Sequence, residues 1–251
     1  NLVLIGDQMQ LSQPMRAKHI GYAKLSSLDF ILEDNDTIPP DKGIFLNNTR
    51  RLNKKICNYI SSSFYDSRLT SDPITKTRSV NLKLDPIKDE GLFYVPIDHS
   101  GCSQRSDEEA DLIEKTYNKI INKEFKVDKN SGKISPKDIM VVAPYNAQAN
   151  NIRERLKKKY DDVRVGTIDL FQGQEAKVVL ISMTTSDVDS LPRHKDFFFS
   201  RNRLNVAISR AECVAIIIFN EKLLLASTNS IEEMKLMNNF CKLLKFKTNY
   251  N

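Results

Sequence analysis

A chain of 251 residues can form one large domain or two small ones, and is long enough to bury a real core. Apolar residues at 40% and charged residues at 28% give the balance of a soluble globular protein, and a net charge of +6 admits a polyanionic partner without requiring one. Cys57, Cys102, Cys213 and Cys241 show no C-x-x-C spacing, and His19, His99 and His194 stand apart from them. A zinc site or a disulfide framework is therefore not expected, and reduced thiols are.

Leu2–Ile5 is an apolar strand that runs into a Gly6-Asp7 turn and the polar cluster Gln8-Met9-Gln10. Glu33–Lys42, rich in Asp, Asn, Pro and Gly, reads as a break that could link two domains. A second short strand, Ile44–Leu46, leads to Arg50-Arg51. A helix follows over Asn53–Ser63 with Ile56, Tyr59 and Ile60 on one face. Thr70–Glu90 reads as a surface excursion, and Leu92–Val95 as the next strand.

Asp107–Ile121 is a helix whose Ala110, Ile113, Tyr117 and Ile120 share one side. Ser106 followed three residues later by Glu109 forms a capping-box start for it. Asp107-Glu108-Glu109-Ala110 spells something like a magnesium-holding Asp-Glu box, but Gly101–Ser106 is polar where such a box follows a buried strand. Lys126–Lys137 reads as a second surface excursion. Its Gly132-Lys133-Ile134 is no phosphate-binding P-loop, because no Ser or Thr follows the lysine.

Ile139–Ala143 is a buried strand ending in Pro144-Tyr145. A helix over Ala147–Tyr160 follows, and its basic side (Arg153, Arg155, Lys157, Lys158, Lys159) reads as a solvated face. The strand Val163–Ile168 ends at Gly166-Thr167, and Gln172-Gly173-Gln174-Glu175 makes a tight turn before the strand Val178–Met183. Thr167 offers a hydroxyl and an N–H suited to phosphate oxygens, Glu175 is an acceptor, and Gly173 lets the backbone approach a ligand. Phe199–Ala211 carries Arg203, Asn205 and Arg210 on one predicted helix before the strand Val214–Phe219. Ile231–Phe246 is a closing helix. Continuous Val/Ile-rich runs alternating with helices predict an α/β fold around a parallel sheet buried on both faces. No apolar run reaches transmembrane length and no signal peptide is visible, so an intracellular, cytoplasmic protein without a membrane partner is expected.

Taken in order, Gly6-Asp7-x-x-Gln10-Leu11, Arg50-Arg51 before a helix ending in Phe64-Tyr65, Pro144-Tyr145-x-x-Gln148, Gly166-Thr167 with Gln172-Gly173-Gln174-Glu175, and Ser209-Arg210-Ala211 resemble motifs III to VI of superfamily 1 helicases. Gln-Gly-x-Glu in the fifth motif resembles the branch of the decay-factor and replication-nuclease helicases. The resemblance implies a RecA-like fold of the P-loop NTPase class. Residues 46–251 would form the second RecA-like domain, and 1–45 the tail of the first with a linker.

The resemblance also implies ATP and Mg2+ between the two domains. Gln10 would sense the γ-phosphate from a turn that includes Gly6 and Asp7, while Arg51 and Arg210 would reach the phosphates. Glu175, beside Gly173, would take a ribose hydroxyl. Arg50 falls where many relatives place an aromatic that stacks on adenine. Pro144, Tyr145, Gln148 and Thr167 would lie along single-stranded nucleic acid, DNA in preference to RNA, and Arg203 would orient its helix. The sequence contains neither a P-loop nor a strand-borne Asp-Glu pair, which relatives carry before motif III. The expectation is the C-terminal part of a longer ATP-dependent helicase, inactive without its first domain and moving five-prime to three-prime. Two alternatives are a non-catalytic module that binds a single strand or a partner, and the motor of a helicase-nuclease. Asp187 and Asp189 read as loop solvation, not as a nuclease metal site.

Overall fold

Five of the apolar runs become neighbours in one sheet in the computed structural model, which describes residues 2–11, 20–33, 35–186, 200–228 and 231–248. The strands are β1 (Asn48–Thr49), β2 (Thr70–Ser71), β3 (Ser79–Val80), β4 (Gly91–Pro96), β5 (Glu124–Val127), β6 (Asn130–Lys133), β7 (Ile139–Val142), β8 (Arg164–Gly166), β9 (Ala176–Ser182) and β10 (Ala211–Phe219). The helices are α1 (Ser27–Leu32), α2 (Lys54–Phe64), α3 (Asp107–Ile120), α4 (Asn146–Lys157), α5 (Arg201–Ser209) and α6 (Ile231–Cys241). The central sheet runs β4-β10-β9-β7-β8, and every pair in it is parallel.

Strand periodicity sends alternate residues to opposite faces, and both faces here are apolar. Met140, Val142, Val179, Ile181, Ala215 and Ile217 pack with Ile56 and Ile60 of α2, Val206 and Ile208 of α5, and Met237 and Phe240 of α6. Ile139, Val141, Val178, Leu180, Ile216 and Ile218 pack with Ala110, Ile113 and Tyr117 of α3 and Ala149, Ile152 and Leu156 of α4. Each fully buried Ile, Leu or Val contributes about 1.5–3 kcal/mol. The predicted α/β class is what this sheet and its two helical layers form.

Several local expectations need correction. Leu2–Ile5 forms no strand; Leu2 and Ile5 are 80% and 91% exposed, and no described strand pairs with the segment. Ile44–Leu46 is likewise no strand, with Ile44 and Leu46 exposed while Phe45 packs against Tyr65 and Arg68. Thr70–Glu90 is more than a surface excursion, because Val80, Leu82, Leu84 and Ile87 are buried in the α3–α4 side of the core. Lys126–Lys137 contains most of the β5–β6 hairpin, including all of β6, and the hairpin joins β3 in a three-stranded antiparallel sheet. The strand expected over Val163–Ile168 stops at Gly166 and gives way to a 3-10 turn over Ile168–Phe171.

The capping box on α3 is half made. Ser106 Oγ accepts from Glu109 N at 3.1 Å, but the Glu109 side chain turns into the core. The closing helix stops at Cys241 and continues as a 3-10 turn over Lys242–Phe246.

Candidate functional site

The two arginines singled out in the sequence meet at the amino edge of the sheet, and the fold explains how. Asn53 caps α2 by accepting from Lys55 N and Ile56 N, both at 3.1 Å, and its amide donates to Cys213 O at 2.6 Å. That bond pins the start of α2, and Arg51 with it, to the first residues of β10. Arg51 Nε donates to Glu175 Oε2 at 2.8 Å, just before β9 begins. Arg210 caps the end of α5 just before β10, and Ala176 N donates to its carbonyl at 3.0 Å. Arg51, Glu175 and Arg210 thus form one charged cluster.

Arg210 is only 2% exposed. Its Nη1 donates to Gln174 O at 2.9 Å and its Nε to Val206 O at 3.2 Å, so two backbone carbonyls of different elements hold its plane. Burial and then the neighbouring Arg51 lower its pKa, while Glu175 and Tyr65 oppose the shift. A guanidinium remains charged under such pressure. Gly173 makes the adjacent turn with φ +78°, with open space where a side chain would start. Arg50, in contrast, is 86% exposed in its side chain and has a loose contact of 3.4 Å to Asp72.

The motif III turn docks on the outer side of α5. Asp7 Oδ1 accepts from Met9 N at 3.0 Å, and its Oδ2 accepts from Gln10 Nε2 at 2.9 Å and from Tyr65 Oη at 2.7 Å. Asn202 Nδ2 donates to Gln10 O at 2.6 Å, and Asn205 Nδ2 donates to Met9 O at 2.7 Å and to Tyr65 Oη at 3.0 Å. Burial and then Asp7 raise the Tyr65 pKa, which keeps its proton on that bridge. The Gln10 amide is turned into its own turn beside Asp7. Gly6 leaves room for no more than light contact, since a Cβ there would sit 3.4 Å from Leu28 Cδ2. Arg201 adds a two-pronged pair to Asp36 at 3.0 and 2.7 Å, fastening the segment before residue 46 to the same helix.

The remaining predicted residues lie at the opposite, carboxyl edge. Pro144 and Tyr145 follow β7 and Thr167 follows β8, with Val142 and Gly166 paired as the last rung. Pro144 and Thr167 are half-buried, and Tyr145 is buried at the start of α4. Gln148 departs from expectation. It is 0% exposed, its Oε1 accepts from Ser106 N at 2.9 Å, and its Nε2 donates to Ser106 O at 3.0 Å and Ser182 Oγ at 3.1 Å. Its amide braces the α3 start against β9 and faces no solvent.

Gln148 belongs to a polar group that the sequence did not reveal. Glu109 Oε1 lies 3.0 Å from His99 Nε2, Glu109 Oε2 accepts from Thr184 N at 2.8 Å and from the Ser182 hydroxyl, and His99 and Glu109 are fully buried. The apolar face of α3 predicted Ala110 and Ile113 inward and gave Glu109 only its capping role. Asp187, Asp189 and Phe199 lie outside the described residues. Arg203 pairs with Asp169 at 3.0 Å, tying α5 to the turn after Thr167. Among the described residues, no group of three or more His, Cys, Asp and Glu could hold a metal ion, and no helix is long and apolar enough to cross a membrane.

A parallel sheet sheathed in helices, with the helicase motif residues in order along it, defines a RecA-like α/β domain of the helicase type. The chain matches the family model described as an AAA domain (AAA_12) over residues 25–222 and belongs to that family, within the superfamily 1 helicases that carry Gln-Gly-x-Glu. It is 32% identical over 221 residues to the DNA polymerase alpha-associated DNA helicase A of Schizosaccharomyces pombe, covering 83% of this chain and 32% of that protein. The protein of the same name from Saccharomyces cerevisiae is 27% identical over 242 residues, covering 89% of this chain and 34% of that one. The putative helicase mov-10-B.1 of Danio rerio is 28% identical over 250 residues, covering 87% and 24%. The chain spans about a third or less of the length of these relatives.

Proposed function

We propose that this chain is the second motor domain of an ATP-dependent nucleic-acid helicase, contributing arginines to ATP bound against a first RecA-like domain. The observation that carries the proposal is the convergence of Arg51, Glu175 and Arg210 at one sheet edge, with Arg210 held by Gln174 O and Val206 O. Two guanidiniums and a carboxylate suit a nucleoside triphosphate, phosphates on one side and ribose hydroxyl on the other. Arg51 and Arg210 stabilise charge on the transferring phosphoryl group, worth about a thousandfold or more in rate for such a finger. Glu175 takes the ribose hydroxyl, Gly173 gives the sugar room, and exposed Arg50 stacks on the base.

Magnesium is held by carboxylates of the first domain. Gln10 reports the γ-phosphate, and the Asp7–Tyr65–Asn205 bridge carries that report to α5. The exposed apolar segment 2–5 supports a division near residue 46, because it would complete a sheet in that first domain.

A single strand of nucleic acid lies across the carboxyl edge on Pro144, Tyr145 and Thr167, DNA in preference to RNA and tracked five-prime to three-prime. The segment from Thr167 to Glu175 runs from that edge to the nucleotide edge, so one short piece of chain touches both ligands. The four free cysteines fit a reducing, cytoplasmic setting. The test compares the 251 residues alone with the same chain joined to its first RecA-like domain. ATP turnover appears only in the joined protein; turnover by the 251 residues alone at a rate that Arg210→Ala abolishes contradicts the assignment.

A further inference from the structure

Arg78 has no motif around it, yet it is 6% exposed and placed against the candidate nucleotide edge. Its Nη1 donates to the carbonyl of Arg51 at 2.6 Å. Its Nε and Nη2 donate to Asp128 Oδ1 and Oδ2 at 2.9 and 2.7 Å, the two-pronged geometry in which a guanidinium fixes its own plane. Glu212, the second residue of β10, lies 3.7 Å from the same guanidinium. Asp128 sits in the β5–β6 turn with φ +55°, so the acceptor is set by the hairpin backbone.

We propose that Arg78 is a positioning residue for Arg51, clamping the Arg50-Arg51 backbone between the β5–β6 hairpin and β10 so that the Arg51 guanidinium is presented to nucleotide in one orientation. The proposal rests on Arg51 acting at the ATP site. Its logic is geometric: among the described residues the Arg51 side chain makes one ion pair, to Glu175, and a nucleotide that takes over Glu175 would release it. The backbone grip of Arg78 and the Asn53 cap then remain as anchors on either side of Leu52. A lysine at 78 could pair with Asp128 as a point charge but could not reach Asp128 and the Arg51 carbonyl together.

The experiment uses the full-length protein with its first RecA-like domain, measuring ATP turnover, single-stranded DNA affinity and thermal midpoint for Arg78→Ala, Arg78→Lys, Asp128→Asn and Arg51→Ala. Arg78→Ala lowers kcat about ten- to a hundredfold, as expected for a displaced catalytic group. Its DNA affinity stays unchanged, Arg78→Lys restores only part of the loss, and Asp128→Asn shows a smaller fall of the same kind. In an Arg51→Ala background, Arg78→Ala causes no further loss of residual turnover. If Arg51→Ala lowers turnover while folded Arg78→Ala and Asp128→Asn turn over normally, the positioning role is overturned. It is overturned equally if the Arg51 and Arg78 losses multiply, which marks a structural residue only. Normal turnover by Arg51→Ala instead overturns the assignment of the ATP site itself. Should Arg78→Ala not fold, Asp128→Asn decides.

Discussion

Gly173 and Gly166 carry glycine for opposite reasons, and their substitutions separate backbone strain from crowding. Gly173 has φ +78° with nothing near its missing Cβ, so Gly173→Ala meets only the left-handed penalty of about 1–2 kcal/mol. Gly166 has ordinary backbone, but a Cβ there would lie 2.6 Å from Cδ2 of Leu170, an exposed side chain that can swing away. Urea unfolding should rank Gly173→Ala as the more destabilised of the two; the reverse order would place the constraint in packing. Gln148 gives a second prediction. Truncating it strands Ser106 N in a buried site, at about 1–3 kcal/mol for the unsatisfied group, while Ser106 O keeps its bond from Ala110 N. Gln148→Ala should lower the unfolding midpoint while the folded protein binds single-stranded DNA as before. A binding defect at unchanged stability would restore it to the strand track. Sequence gave no warning of this burial, since glutamine in Pro-Tyr-x-x-Gln carries no sign of which side of α4 it faces.

Among the elements, the legible ones were those whose pattern depends on burial alone. Val178–Met183 and Val214–Phe219 are apolar runs and became β9 and β10, two of the three inner strands, with β10 three residues longer at its start than the Cys213-Val214 boundary suggested. The β5–β6 hairpin escaped notice because Asn130–Lys133 is exposed along its length and offers no apolar alternation. Val80, Leu82 and Leu84 did alternate with polar residues, and that period of two was the available sign that Thr70–Glu90 enters the core. Leu2–Ile5 failed as a strand for a different reason: apolar composition supplies the propensity, but a strand also needs a partner edge.

The hairpin supports a pH prediction. The hydrogen bond from Arg78 holds the Asp128 carboxyl below its ordinary 3.8. A depressed carboxylate stabilises the fold above the unfolded pKa, and that stability disappears as pH falls through the folded value. Asp128→Asn should therefore be less stable than wild type at pH 7, with the gap closing below about pH 3.8. A gap that persists at lower pH would assign the effect to shape and not to charge.

At the scale of the molecule, the two proposed ligand edges sit at opposite ends of one sheet, joined by the Thr167–Glu175 crossover and by α5. The motif order made the residues of both edges legible. It did not show that Arg51, Glu175 and Arg210 cluster while Thr167 lies a strand's length away, because that follows from parallel register between β8, β7, β9 and β10. Binding of a single strand through phosphate contacts releases counterions, so affinity should fall as salt rises. An affinity indifferent to salt would argue against a phosphate track at the carboxyl edge.

The central claim is that Arg210 serves ATP hydrolysis driven by nucleic acid. Steady-state ATP turnover by the full-length protein, with and without single-stranded DNA, tests it in wild type and Arg210→Ala. The account predicts stimulation by the strand in wild type and a loss of about a thousandfold in a folded Arg210→Ala protein. Turnover in Arg210→Ala that still rises with DNA to the wild-type rate would contradict it.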